Sequence, residues 1–148
     1  MYNSSRKDIY DWLYDLFYDV VTKNVYAMFK PLELSSSDTK NGFLVISIGN
    51  FIDESEFQCD AFGACRVFVT AYVPLLSRGR LDYDKYDTYE LAINNAIQSV
   101  IDDDKGYYSI IEDSILSMDG IDDENATNQF ATYTKSFVVT MDEDKTTK

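Results

Sequence analysis

The sequence contains no histidine, one tryptophan, two cysteines, two prolines and six glycines among 148 residues. Without histidine, the imidazole chemistry of hydrolytic triads and of most zinc centres is excluded. Two cysteines are too few for a disulfide scaffold, and Cys59 and Cys65 read as two unpaired thiols rather than a bridge across a hairpin end. Scarce proline and glycine, set against 45% hydrophobic and 15% aromatic residues, exclude a disordered or low-complexity chain, because so many large apolar side chains drive collapse. No run approaches the roughly 18 apolar residues of a membrane span, and Arg6 and Lys7 lead into an Asp-studded segment rather than the apolar heart of a secretion signal. The length fits one domain over residues 1–148, with 142–148 as a frayed tail.

Basic residues are also short, 13 against 26 acidic, for a net charge of −13. Such a chain repels nucleic-acid phosphates and anionic membrane surfaces at long range, which disfavours a sequence-reading DNA-binding protein. The acidic peaks, Asp102 to Asp104, Asp119 to Glu124 and Asp142 to Asp144, each adjoin an apolar segment, where turns and element ends are expected.

Ser5 and Asp8 have capping-box spacing and predict a helix start. Ile9, Leu13, Leu16, Phe17, Val20 and Val21 form its apolar stripe, bordered by Tyr10, Tyr14 and Tyr18 four residues apart. Val25 to Phe29 reads as an extra turn or a short strand, and Leu34 to Gly42 as a polar connection. Phe43 to Ile48 predicts a strand, and Cys65 to Val73 alternates with the period of two that a strand requires, ending at Pro74. Phe51 to Phe62, between them, is a hairpin arm or a loop. Tyr86, Tyr89, Ile93, Ala96, Ile97 and Val100 predict a second helix from about Tyr86 to Ile101, with Asp87 and Glu90 at capping-box spacing. Tyr107 to Met118 reads as an imperfect strand. Phe130 to Met141 reads as a better one, with Ala131, Tyr133, Phe137, Val139 and Met141 on one face.

This order predicts an α+β fold: a mainly antiparallel sheet with two helices packed on one face. On the opposite sheet face, Phe68, Tyr72, Tyr107 and Tyr108 would either meet another copy or be covered by an arm of the chain itself.

The N-terminal helix, the strand Arg66-Val67-Phe68-Val69-Thr70-Ala71-Tyr72, the helix from about Tyr86 to Ile101 and the strand Tyr133-Thr134-Lys135-Ser136-Phe137-Val138-Val139-Thr140 together resemble, in element order, the tail terminator and tail-completion proteins of tailed bacteriophages. The resemblance spans residues 5 to 141 and rests on order alone, since that family has no invariant motif. It implies a non-enzymatic virion protein, assembled in the bacterial host cytoplasm. Such a protein forms a homo-oligomeric ring with other neck, portal or tail proteins and lets DNA pass without binding it specifically. The residues themselves predict no cofactor, no metal and no membrane partner. Ring contacts are heterologous, and Tyr72, Tyr108 and Tyr133 are the candidate interface residues, because tyrosine buries large area with few rotors.

Two readings compete. An acidic protein that mimics nucleic acid and occupies a basic groove would also carry this charge. A metal-dependent enzyme would use the Asp clusters, but an EF-hand places glycine sixth and glutamate twelfth, whereas counting from Asp102 puts Gly106 fifth and Asp113 twelfth.

Overall fold

The structure is a computed structural model that describes residues 5–27, 31, 33–52, 64–103, 106–112, 118–122 and 130–141, with the backbone course alone at 50–52 and 118–122. Its elements in chain order are α1 (Arg6–Phe17), β1 (Val25–Ala27), α2 (Ser36–Asn41), β2 (Phe43–Ile52), β3 (Ala64–Pro74), a 3₁₀ turn (Ser77–Gly79), α3 (Tyr83–Asp102), β4 (Tyr108–Glu112), β5 (Met118–Asp122) and β6 (Phe130–Met141).

The strands form one sheet in the order β1-β2-β3-β6-β4, with β5 also on β6. Only β1 and β2 run parallel; the other pairs are antiparallel. At the centre, β3 and β6 stay in register from Ala64↔Thr140 to Pro74↔Phe130. Both β4 and β5 lie along the far edge of β6, which pairs Phe137 with Glu112 and then Thr134 with Met118. The expected strand from Tyr107 to Met118 is therefore two short strands that share one partner. Residues 113–117, between them, lie outside the described residues, as do 53–63 in the expected hairpin arm.

The α+β arrangement with α1 and α3 on one sheet face is what the structure has. Ile9, Leu13 and Phe17 of α1 and Tyr86, Tyr89, Ile93 and Ile97 of α3 pack on Leu44, Ile46, Val67, Val69, Ala71, Phe137 and Val139. These sheet residues alternate with outward ones, so the period of two in β3 and β6 meets the helical stripes directly.

The capping box at α1 forms as expected: Asp8 N–H donates to Ser5 Oγ at 3.2 Å and Ser5 N–H to Asp8 Oδ2 at 3.0 Å. The helix stops a turn earlier than its apolar stripe suggested. Tyr18 is extended and Asp19 takes a left-handed φ of 59°, a conformation Asp tolerates, so Val20 falls off the buried face and is 44% exposed. Arg6 Nε donates to the Gly49 carbonyl at 3.2 Å, where the β2–β3 register shifts between Ile48 and Phe51. That ties the start of α1 to the bulge.

The other long helix starts earlier than expected. Asp82, not a box at Asp87 and Glu90, caps α3 by accepting from Lys85 N–H at 3.1 Å, and Asp84 adds a favourable charge in the first turn. Val25 to Phe29 resolves into β1 over Val25–Ala27, and 28–30 lie outside the described residues. The short helix α2 was not expected at all. It uses the same box as α1, with Ser35 Oγ accepting from Asp38 N–H at 3.1 Å and Asp38 Oδ2 from Ser35 N–H at 3.0 Å.

Leu13 and Ile97 are each at most 1% exposed in the helix–sheet core. Leu13→Asp or Ile97→Asp strands a carboxylate among aliphatic side chains at a cost above about 4 kcal/mol, comparable to the whole margin of a small domain. Both variants should lose the cooperative urea transition of the parent, read by tyrosine fluorescence and circular dichroism.

Candidate functional site

The structure separates the three tyrosines that the sequence offered as one contact surface. Tyr108 is 5% exposed on the helix side, its ring 4.9 Å from that of Trp12. Its register partner is Met141, which also faces the helices, so the phase of β4 turns Tyr108 inward. Tyr107, half-buried, packs edge-on against it at 5.0 Å, on the same side rather than the opposite one. Tyr133 is 3% exposed, accepts from Asn94 Nδ2 at 3.0 Å and meets the Tyr86 ring edge-on. Tyr108 and Tyr133 are thus core residues and not interface residues. Alternation alone assigns Tyr133 to the core, because it shares a face with Phe137, Val139 and Met141.

Tyr72 does lie on the opposite face, where it stacks on its register partner Phe43 at 4.6 Å and meets Phe130 edge-on at 6.1 Å. Phe43, Val45 and Phe130 are fully or almost fully buried there. So are Ser136, Val138 and Thr140 farther along β6, and Thr70 and Thr134 join through their hydroxyls at 3.1 Å. At these residues the second sheet face is covered within the chain, while Phe68 and Tyr72 stay partly exposed on it.

A polar junction closes the end of the sheet where β1, α2 and α3 meet. Gly42 has φ +89°, and a Cβ there would lie 2.5 Å from the Tyr72 carbonyl oxygen and 2.7 Å from the Tyr89 hydroxyl. Its own carbonyl accepts from Thr22 Oγ1 and Asn24 Nδ2, and its N–H donates to the Asp38 carbonyl at 2.9 Å. Tyr89 donates to the Asn41 carbonyl at 2.7 Å. Asp38, 1% exposed, accepts from the Tyr26 hydroxyl on both oxygens, at 2.8 and 3.0 Å. Burial and then the Asp38 carboxylate push Tyr26 up to about 12. Burial pushes Tyr89 to about 12 as well, against the hydrogen bond from Thr22.

Beside this junction an open groove of about 430 Å³ is lined by Val21, Asn41, Asp84, Lys85, Thr88 and Tyr89. Its polar groups are engaged with the fold itself: Lys85 Nζ donates to the Lys40 carbonyl and Thr88 Oγ1 to the Asp84 carbonyl. No group of three or more acidic, Cys or His side chains is placed to hold a metal among the described residues. Asp102 and Asp103 are exposed at the end of α3, and Asp104, Asp123 and Glu124 lie outside the described residues. Cys65 is a free, buried thiol whose pKa burial raises to about 11, so it stays protonated at neutral pH and is a poor nucleophile. Cys59 is outside the described residues.

The exposed surfaces of the two long helices carry more acids than bases. Asp8, Asp11 and Asp15 lie on the outer side of α1 beside the exposed Arg6 and Lys7, with Asp19 in the turn that follows, and Asp84, Asp87 and Asp102 lie on that of α3 beside the partly exposed Lys85, with Asp103 at its C-cap. Lys7 pairs with Asp11 at 2.7 Å. Interleaved with these acids are the ring stack Tyr10, Tyr14 and Tyr18, with centroids 5.9 and 5.2 Å apart, and Tyr83 and Leu91, 69% and 62% exposed. Among the described residues no helix is long and apolar enough to cross a membrane.

A scan of the chain against protein-family models finds no match, and a search of curated proteins finds none either.

Two outcomes test the junction. Gly42→Ala should lower unfolding stability by about 2–4 kcal/mol through the left-handed φ and the backbone clash, measured as a fall in the urea midpoint at unchanged slope. Tyr26 and Tyr89 stay protonated in the fold while unfolded tyrosines ionise near about 10, so stability should hold below that pH and fall as pH rises towards 12. Tyrosinate absorbance should show a late-ionising fraction. Asp38→Asn, which removes the adjacent charge, should move one tyrosine of that fraction to lower pH.

Proposed function

We propose that this chain is a structural ring subunit at the head–tail junction of a tailed bacteriophage, joining the portal or connector to the tail and lining the DNA passage. The observation that carries the reading is the arrangement of α1, β2, β3, α3 and β6, with both long helices on one face of a mainly antiparallel sheet. That order is the one by which the sequence resembles tail terminator and tail-completion proteins. The excess of acids on the exposed helix surfaces supports it physically. A passage walled by carboxylates repels phosphates, so DNA slides past instead of adhering. The same excess favours one rival, an acidic protein that occupies the basic groove of a nucleic-acid-binding partner. In both readings the chain works by the surface it presents and catalyses nothing.

Electron microscopy of assembled virions tests the proposal. Density for this chain as a ring at the portal–tail junction is the expected result, and its absence from purified particles overturns it. A monomer that displaces DNA from a basic partner, measured by fluorescence anisotropy with a labelled duplex, would establish the mimic instead.

A further inference from the structure

Along α1 the sequence repeats one dipeptide: Tyr10-Asp11, Tyr14-Asp15 and Tyr18-Asp19 stand four residues apart. A step of four residues on a helix advances about 6 Å and turns by about 40°, so the rings form one column on a flank of α1. Asp11 and Asp15 form a second column beside it, and Asp19 follows in the turn. The rings stay in contact through the C-cap, with centroids 5.9 Å apart between Tyr10 and Tyr14 and 5.2 Å between Tyr14 and Tyr18. Tyr10 and Tyr14 are half-buried, Tyr18 is 41% exposed, and all three carboxylates face solvent.

Two features set this flank apart from an ordinary border of the core. Tyr86, Tyr89 and Tyr133 use their hydroxyls within the fold, whereas those of Tyr10, Tyr14 and Tyr18 are bonded to no group of the chain among the described residues. The carboxylates also stand where the helix disfavours them. A helix C-terminus attracts cations and repels anions, yet Asp15 lies in the last turn of α1 and Asp19 just past it. That turn holds no base, and neither carboxylate has an ion-pair partner among the described residues. Lys7 occupies only the first rung, at Asp11. A local choice that costs the fold stability, with no compensating contact inside it, is expected where a function uses it.

We infer that this ladder is a docking surface for an arginine-bearing helix of a partner protein. Each rung offers a guanidinium a ring face to stack on and a carboxylate to bond, a combination that the planar fork of arginine fits better than the point charge of lysine. Arginines four residues apart on the partner helix repeat at the same step of about 6 Å as the rungs, whereas alternate residues of a strand repeat at about 6.7 Å and drift from them. Charge excludes the other occupants. A second copy laid against this flank through its own α1 would oppose acid to acid, and nucleic acid or anionic lipid would be repelled. The anchor is the end at Asp15 and Asp19, because a cation there also offsets the unfavourable helix dipole. The inference does not rest on the ring reading.

Fluorescence anisotropy on the full-length chain tests it, with a labelled alanine-based helical peptide that carries three arginines four residues apart. The expected result at low salt is saturable binding, at least tenfold tighter than that of a peptide of the same composition with its arginines dispersed around the helix, and several-fold tighter than that of the lysine version. Tyr14→Ala with Tyr18→Ala should weaken binding at least fivefold. Asp15→Lys with Asp19→Asn, which keeps a residue tolerant of the left-handed φ, should abolish binding while raising the urea midpoint. A chain that is better folded and binds less removes misfolding as the explanation. Equal binding of the arranged arginine peptide and either control, binding that survives loss of the two rings, or no saturable binding at all overturns the ladder. Virion density bears on the ring and leaves this contact untouched, so the two readings fail separately.

Discussion

The ladder between β3 and β6 is the constraint on which the rest depends. Its unbroken register fixes which residues of both strands face α1 and α3, because a slip of one position would send every side chain to the other side of the sheet. Val67, Val69, Ala71 and Val73 then present small branched or short side chains opposite Phe137, Lys135, Tyr133 and Ala131 in turn, and the helical stripes settle onto that surface. The same register stacks Tyr72 and Phe130 beside Phe43 on the reverse side. One pairing thus builds both apolar layers.

Where a segment carried a strong period, its fate was legible in the sequence. The run Phe130 to Met141 is a strand over that span, and its apolar and polar faces are the ones its alternation assigns. The stripe of α3 and the Ser5–Asp8 box were equally direct. Short elements were harder. α2 has no apolar face from which a period could be read, and only the pair Ser35 and Asp38, at the spacing already recognised at Ser5 and Asp8, marked it. Tyr107 to Met118 lacked clean alternation, and its described pairing with β6 falls in two separate registers, one ending at Glu112 and one beginning at Met118. Tyr108 was placed on the wrong face for the same reason: without a steady period the phase of a strand is set by its partner, here Met141, and not by its own residues.

Tyrosine illustrates how composition misleads about surfaces. Twelve tyrosines suggested material for an interface. Tyr86, Tyr89, Tyr108 and Tyr133 instead serve as core residues, and Tyr86, Tyr89 and Tyr133 each have a hydroxyl hydrogen-bonded to a protein partner. A buried phenol can be accommodated where a backbone carbonyl or an amide stands at the end of its ring, here the Thr132 carbonyl of β6, the Asn41 carbonyl of α2 and the Asn94 amide of α3. The acidic residues sort differently. Asp38 is buried with the hydroxyl of Tyr26 and the N–H of Ser35, while those along the outer helix surfaces stay in solvent.

The central ladder also has a consequence for biogenesis. β3 pairs with a strand that is translated only after α3, β4 and β5, so during vectorial synthesis the β2–β3 hairpin emerges with one long side unpaired and its apolar face lacking the contribution of β6. Closing that gap requires a long chain loop to be ordered late, which slows folding and leaves the nascent hairpin open to capture by neighbouring chains. The acidic charge spread through α1 and the residues after it works against such encounters, since nascent copies on one polysome repel each other until the last strand docks.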